Sequence, residues 1–403
     1  MLRERNSFTG KPIGSLPGTR TGVLHEIFTI SYQIPSATMI TRIVFLATFG
    51  VSTTASPTLR EAGKLAGIYM GSQFKYDSIF NSSIAPGGVN RYRATHSTQY
   101  GLSTAGNACK WAAVHPSRET FTFEKCLDSL GYATDAKQAF RGHNLCWGNN
   151  NPAWLEAMAA DPQTTPDELR TVLVEHVTAV MRGVPNATAW DVVNEAAPNQ
   201  PTSDTDHFKN NTWYPKVPDY VDAAFVAARA ADARPLLFYN EYGAEELGTP
   251  KSEAVYDMVR SMVQRGIPID GVGLQLHVGT PQGGQSGGKV VNATRVALNI
   301  KRLGALGLQV HVTELDVKCP DPCTGDAQAA QAKVYADLLD ACLSNRDVCT
   351  SFETWGFTDA VTWLTGDRCK GAQNCHPLPF DEQYAPKPAV AAMLAVLKKY
   401  ARE

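Results

Sequence analysis

The chain has 403 residues, with 37 Lys+Arg against 39 Asp+Glu and a formal charge of −2, so no strong field draws it to phosphate backbones or anionic lipid surfaces, and nucleic-acid binding is not expected. Apolar residues make up 43% and charged residues 19%, without a polar low-complexity tract, which excludes a disordered or fibrous protein. Such a length fits two or three domains of roughly 150 residues each, or one α/β barrel of more than about 250.

Residues 1–38 show no sustained hydrophobic period and are rich in Gly, Thr, Ser and Pro. They read as a disordered or non-native extension, upstream sequence joined to the frame, with Met39 as the working start. From Met39, Arg42 precedes an apolar core from Ile43 to Val51, and small residues follow to Thr53-Thr54-Ala55. That is the pattern of a secretory signal cleaved near Ala55. The run is too short for a membrane span, which needs about 20 apolar residues; a short buried strand or helix is the alternative reading. A secreted, extracellular protein with its catalytic part over residues 56–403 is expected, soluble once the signal is removed. Asn-x-Ser/Thr acceptors at Asn81, Asn186, Asn210 and Asn292 agree with this.

Beyond the signal, runs rich in Val, Ile and aromatics predict strands at Leu65 to Gly71, Tyr100 to Gly106, Ala139 to Trp147, Ala189 to Asn194, Pro235 to Tyr239, Gly271 to His277, Gln309 to Leu315 and Ser351 to Phe357. Helical periodicity lies between them. Pro166 to Arg182 opens on Thr165, with Pro166 in the first turn and Glu168 completing a Thr-x-x-Glu box; Ser252 to Arg265, Ala327 to Leu343 and Lys387 to Ala401 repeat the pattern. Strands alternating with helices, without a second compositional zone, point to a single (β/α)₈ TIM barrel in the α/β class. A doubly wound open sheet is the alternative, but no Gly-x-Gly-x-x-Gly follows the first strand.

In a barrel the chemistry sits at the carboxyl ends of the strands. The fourth predicted strand closes as Trp190-Asp-Val-Val-Asn-Glu195 and the seventh as His311-Val-Thr-Glu-Leu-Asp316. Each puts a glutamate at the rim, and strands three apart in a ring of eight face one another across the mouth. Two opposed carboxylates are what glycosidic hydrolysis requires, an acid for the leaving oxygen and a base or nucleophile on the other face of the sugar. A single rim glutamate is more often solvated or ion-paired; two at opposed strand ends favour catalysis. A metal site from His311, Glu314 and Asp316 competes, but strand alternation puts Glu314 and Asp316 on one face and His311 on the other unless a bulge intervenes. His277 is better placed to bond a carboxylate of the seventh strand. No metal and no cofactor is expected, and the absence of Gly-x-Ser-x-Gly disfavours a serine hydrolase. Trp147, Trp355 and Trp363 fall at or after strand ends, where indole can stack on sugar C–H faces. Trp111, Trp154, Trp190 and Trp213 read as packing residues, and His25, His176 and His207 carry no motif.

Of the nine cysteines, six fall in close pairs, Cys319 with Cys323, Cys342 with Cys349 and Cys369 with Cys375. Zinc ligation and local disulfides both fit close pairs; only the first pair has zinc-like spacing, so loop-closing disulfides in an oxidising compartment are expected. Cys109, Cys126 and Cys146 can add at most one bridge, and a Cys109–Cys146 pair would tie the ends of the second and third strands.

These residues resemble family 10 of the glycoside hydrolases, the barrel endo-β-1,4-xylanases, over about Leu65 to Tyr400. The motifs are Asn107-Ala-Cys-Lys-Trp111, Arg141-Gly-His-Asn-Leu-Cys-Trp147, Trp190-Asp-Val-Val-Asn-Glu195, Gly271-Val-Gly-Leu-Gln-Leu-His277, Thr313-Glu-Leu-Asp316 and Trp355-Gly-Phe-Thr-Asp359, followed by Trp363. The resemblance implies a monomeric, retaining enzyme that cuts internal bonds of xylan and xylo-oligosaccharides by double displacement. It implies Glu195 as acid/base and Glu314 as nucleophile. Asn194 would hold the 2-hydroxyl of the sugar being cleaved. His277, backed by Asp316, would partner the nucleophile, and Gln275 the acid/base. His143, steadied by Asp191, and Trp147 would surround that sugar, while Asn107 and Lys110 would grip the next one toward the non-reducing end. Trp355 and Trp363 would roof the cleft, disfavouring the hydroxymethyl of glucose, and Asn240 and Tyr242 would line it. A Cys342–Cys349 bridge is likewise implied. A related barrel glycosidase on β-1,4-glucan, or a catalytically silent sugar-binding or inhibitor barrel, are the alternatives. Two departures stand out: Gly106 replaces the family's usual Glu and Gly148 its usual His. Glycine offers no acceptor, so weak binding two sugars before the cleaved bond and poor turnover of very short oligomers are expected, with Gly106→Glu raising kcat/KM on short oligomers more than on long xylan; the alternative is that another loop, such as Asn149 to Asn151, fills the gap.

Overall fold

The described residues include nine parallel strands: β1 (Tyr69–Phe74), β2 (Leu102–Ala105), β3 (Ala139–Trp147), β4 (Ala189–Asn194), β5 (Leu236–Glu241), β6 (Gly271–Leu274), β7 (His277–Gly279), β8 (Gln309–Lys318) and β9 (Cys349–Thr354). In this computed structural model the described residues are 56–81, 88–201, 208–281, 289–319, 321–369 and 375–402. The expectations for the extension and the signal segment lie outside them. Pairing runs from β6 through β5, β4, β3, β2, β1 and β9 to β8, and a further β6–β8 ladder closes the ring; β7 is a short extension paired to β8 alone. Residues 57–403 form the unit that contains this closed (β/α)₈ barrel.

The helix predicted from Pro166 begins where its sequence says it should, and the other three predicted helices begin within two residues of their expected starts. Thr165 accepts from Glu168 N at 3.2 Å while the Glu168 carboxylate takes Thr165 N at 2.8 Å, opening Pro166–Gly183. Between the helices and the ring lies the apolar core, including Val192, Leu237, Val272, Val310 and Phe352, all fully buried. Trp190 and Trp213 are in it, as is Trp111, stacked on His176 with ring centroids 3.4 Å apart. Trp154 is half-buried and donates to His115 O at 3.2 Å.

The inside of the ring is polar beneath the rim. Arg141 on β3 is fully buried and reaches Asp191 on β4 at 2.5 Å, His311 Nδ1 on β8 at 2.9 Å and Glu353 on β9 at 3.7 Å. A buried guanidinium is tolerated only with such partners. Burial pushes the Glu353 carboxyl up to about 7 against the pull of Arg141. Burial would also raise Asp191, but Arg141 and His143 outweigh it and hold the carboxyl below its ordinary range.

Four expectations need correction. Leu65 and Ala66 belong to a helix, Leu59–Ala66, that opens on a second capping box, Thr58 with Glu61, and stops at the left-handed Gly67. The run Gly271 to His277 breaks at Gln275 and Leu276, where Leu276 takes φ 61°, so His277 starts a separate strand. The last strand starts two residues and ends three residues before the predicted run, stopping at Thr354 ahead of Gly356 at φ 105°. His311 shares the ring interior with the rim glutamate: β8 carries a register shift between Val312 and Leu315 that resets its alternation. Even so, His311 bonds Arg141 below while Glu314 points to the cleft, and the trio does not converge on a metal.

Four disulfides are present: Cys109–Cys126, Cys319–Cys323, Cys342–Cys349 and Cys369–Cys375. The three close pairs are as expected. Cys109 bonds Cys126, on the helix Glu124–Asp135, and not Cys146, which is an unpaired buried thiol on β3.

Candidate active site

A cleft of about 670 Å³ opens over the carboxyl ends of the strands. Register brings the site residues to one level: Trp147 on β3 pairs with Asn194 on β4, which pairs with Asn240 on β5, which pairs with Gly273 on β6. Immediately after β4 the chain turns, and Glu195 takes φ 58°, a left-handed conformation uncommon for a residue with a side chain and typical of functional sites. Its amide is held by Asn240 O at 2.9 Å.

The two glutamates have different surroundings. Glu195 accepts from Trp147 Nε1 at 3.0 Å, Asn194 Nδ2 at 3.2 Å and Gln275 Nε2 at 3.2 Å. All three donors are neutral; the nearest cation, Lys209 Nζ, stands off at 3.9 Å. Glu314 accepts from Asn240 Nδ2 at 2.7 Å and from His277 Nε2 at 3.3 Å. His277 donates its other nitrogen to Asp316 at 2.9 Å, and Asp316 also takes Trp363 Nε1 at 2.8 Å. Burial would push the imidazole down, yet the Asp316 and Glu314 carboxylates outweigh it and raise it well above its ordinary value. Burial would likewise push the Glu314 carboxyl up, but the hydrogen bond from His277, with the charges of His143 and His277, leaves it lowered. Asn194 Oδ1 accepts from both Gln275 at 3.2 Å and Asn240 at 2.9 Å, so one amide links the two carboxylate shells.

Of the residues singled out from the sequence, Asn107, Lys110, His143, Trp147, Asn194, Glu195, Tyr242, Gln275, His277, Glu314, Trp355 and Trp363 line this one cleft. Asp191 and Asp316 stand behind it, orienting His143 at 2.9 Å and His277. Asn240, expected on the cleft surface, is instead fully buried, donating to Glu314 and accepting from Thr313 Oγ1 at 2.7 Å. Lys110 Nζ lies 4.8 Å from the centre of the Trp147 ring; burial lowers its pKa, against the Glu314 and Glu195 charges. The Trp355 ring meets His143 edge-on at 5.1 Å. Sequence reasoning missed Gln73, Lys75 and Arg368, which also line the cleft together with Asn150 of the loop after β3. None sits in a motif, and Arg368 reaches the site by stacking on Trp363 at 5.2 Å. The two glycine departures are filled spaces: a Cβ at Gly106 would lie 2.0 Å from Gln73 Nε2, and one at Gly148 would lie 2.7 Å from Asn211 Cβ.

A buried carboxylate held ionised by an imidazolium, facing a second carboxylate held by neutral donors, in a groove walled by indoles, is the apparatus of a glycosidase. The sequence model of glycosyl hydrolase family 10 matches residues 58–396, and the chain belongs to that family. It is 32% identical over 320 residues to endo-1,4-beta-xylanase B of Thermotoga neapolitana, covering 78% of this chain and 86% of that one. With endo-1,4-beta-xylanase B of Neocallimastix patriciarum it is 35% identical over 304 residues, covering 75% of this chain but only 32% of that longer protein. The crystal structure of xylanase 10B from Thermotoga petrophila in complex with xylobiose superposes with a TM-score of 0.77 at 30% identity, covering 87% of this chain and 100% of that one.

Proposed function

We propose that the protein is a retaining endo-β-1,4-xylanase that cuts internal bonds of xylan by double displacement, with Glu314 as nucleophile and Glu195 as acid/base. The observation that carries this is the asymmetry of the carboxylate pair: an imidazolium hydrogen-bonds Glu314 and lowers its pKa, while the hydrogen-bond donors to Glu195 are all neutral and its one nearby cation, Lys209 Nζ, stands at 3.9 Å. In the first step a Glu314 oxygen attacks the anomeric carbon as Glu195 gives its proton to the leaving glycosidic oxygen, leaving a glycosyl ester on Glu314. In the second, Glu195 takes a proton from water, whose oxygen attacks the same carbon and displaces the Glu314 carboxylate. Two inversions return the β configuration. Negative charge comes and goes on Glu314, and the His277–Asp316 pair is placed to balance it without moving.

Release of reducing sugar from xylan beside carboxymethylcellulose tests the substrate, and NMR of the first-formed anomer tests the stereochemistry. Turnover of the cellulose derivative alone would overturn the xylan assignment, an α product the retaining one, and no turnover on either would leave a silent sugar-binding barrel. Secretion is a second part of the proposal, supported by the signal-like run from Met39 and by four exposed glycosylation acceptors. A mature amino terminus near Ser56 on protein recovered from the medium is the expected result; an intact Met1 there would overturn the processing.

A further inference from the structure

The cleft floor departs from expectation at Gly106. A Cβ on this residue would meet Gln73 Nε2 at 2.0 Å, Gln73 Cδ at 3.1 Å and the backbone oxygen of Phe74 at 3.2 Å. Gln73, near the end of β1, already occupies the volume that a side chain at position 106 needs. It is anchored there, because Nε2 donates to Phe74 O at 2.6 Å and the same oxygen accepts from Gly106 N at 3.2 Å. The β1 side chain and the backbone after β2 are thus fixed to one acceptor. With Nε2 committed, the amide oxygen of Gln73 has no donor among the described residues, and Gln73 lines the cleft beside Gly106, Asn107 and Lys110. Lys110 Nζ in turn is in no ion pair among the described residues and rests over Trp147.

We propose that Gln73 is a sugar-binding residue that sets how well short substrates are held. Its amide oxygen accepts a hydroxyl hydrogen from the xylosyl unit lying over Asn107 and Lys110, and Gly106 is the residue that makes room for it. This rests on the xylanase reading above. It reverses the expectation that glycine leaves a vacancy: a glutamate introduced at 106 meets an occupied space and a backbone carbonyl, so Gly106→Glu alone harms the site. The chemistry of the grip also changes, since an amide oxygen is a neutral acceptor and the bond it makes does not depend on a carboxylate being ionised.

The test reads binding apart from turnover. Xylotriose affinity is measured by calorimetry in a Glu314→Ala background, with Gln73→Ala, Gly106→Glu and both together added to it. A neutral hydrogen bond corresponds to about 3- to 10-fold in affinity, so Gln73→Ala should weaken xylotriose binding by that factor. Gly106→Glu should weaken it at least as much, and the double change should bind better than Gly106→Glu alone, because removing the amide frees the space. In the turnover-competent enzyme Gln73→Ala should raise KM on xylotriose and lower kcat/KM on both xylotriose and long xylan, the larger loss falling on xylotriose because long chains also draw on other subsites. Unchanged xylotriose affinity in Gln73→Ala overturns the proposal, as does a double variant whose loss is the product of the two single losses. If Gly106→Glu fails to fold, judged by circular dichroism, Gln73→Ala and the isosteric Gln73→Met, which lacks the acceptor, still decide it. Failure of the wild type to hydrolyse xylan would instead strike the functional reading, while the binding cycle continues to decide the role of Gln73.

Discussion

Glu195, just after β4, and Glu314, within β8, are the same side chain on strands three apart in one ring, and their neighbourhoods differ in kind. Around Glu314 the donors include an imidazole backed by a second carboxylate, a chain of charge running from Asp316 through His277. Around Glu195 the hydrogen-bond donors are an indole and two carboxamides, and the one cation nearby, Lys209 Nζ, stands at 3.9 Å. A nucleophile must be ionised in the resting enzyme, and an acid/base must pass between both states in each cycle. In the proposed mechanism this contrast is what separates the two roles, through the neighbours of each glutamate.

The sharpest way to break this comparison is to remove each carboxylate in turn. Glu314→Ala should lower kcat by about 10⁴-fold or more, and azide should restore turnover by direct attack, giving an α-glycosyl azide. Glu195→Ala should cost less, about 10²- to 10⁴-fold on xylan, and far less on an aryl xylobioside whose leaving group needs no proton. There azide should give the β product, because it intercepts the Glu314 ester. Interchanged azide stereochemistry would exchange the two assignments.

His277→Gln sharpens the comparison by weakening one neighbourhood only. Loss of a charge-assisted bond corresponds to about 10- to 100-fold in kcat/KM, and because His277 lowers the Glu314 pKa, the acid limb of the pH profile should move to higher pH. The sign for stability follows from the same shifts. Lowered Glu314 contributes stability that is present above its ordinary value of 4.5 and lost as pH falls through its folded value; raised His277 contributes stability that is present below 6.5 and lost as pH rises through its own. The stability difference between wild type and variant should therefore be largest between 4.5 and 6.5 and shrink on either side. An acid limb that does not move would show that His277 does not set the ionisation of Glu314. Smallest of all should be Trp147→Phe, which removes one donor to Glu195 and retains an aromatic wall: about 3- to 10-fold in kcat/KM. If the neighbours of Glu195 only orient it, the acid limb should stay in place; a shift there would erase the distinction between the two sides.

Much of this was legible in the residues. β3 and β4 match their predicted bounds because their apolar runs are flanked by clear helix and turn signals, and the rim glutamates follow from the strand ends. The cleft brought together most of the residues chosen for it, since strand-end position decides who can meet. What stayed hidden depends on local geometry that leaves no compositional mark. The β8 register shift turns His311 inward, and nothing in His311-Val-Thr-Glu-Leu-Asp316 announces it. The Cys109–Cys126 pairing depends on where the helix Glu124–Asp135 packs, which strand order does not reveal. Gln73 lies outside every motif, and its importance appears only through the space it takes from Gly106.

The four bridges close intervals of 17, 4, 7 and 6 residues, so none of them joins distant parts of the ring. Each cysteine finds its partner within a short search along its own segment, and the order of oxidation places no constraint on how the strands come together. Closure of the barrel, at β1 with β9 and at β6 with β8, is left to hydrogen bonds and packing. A reductant should therefore open the stapled loops to proteases before the ring itself gives way; simultaneous loss of both would show that the bridges hold the barrel shut. The ninth cysteine, Cys146, is enclosed in the protein and burial pushes its thiol well above the ordinary value. Without an accessible thiolate, the finished molecule carries no internal nucleophile to reshuffle its own cross-links.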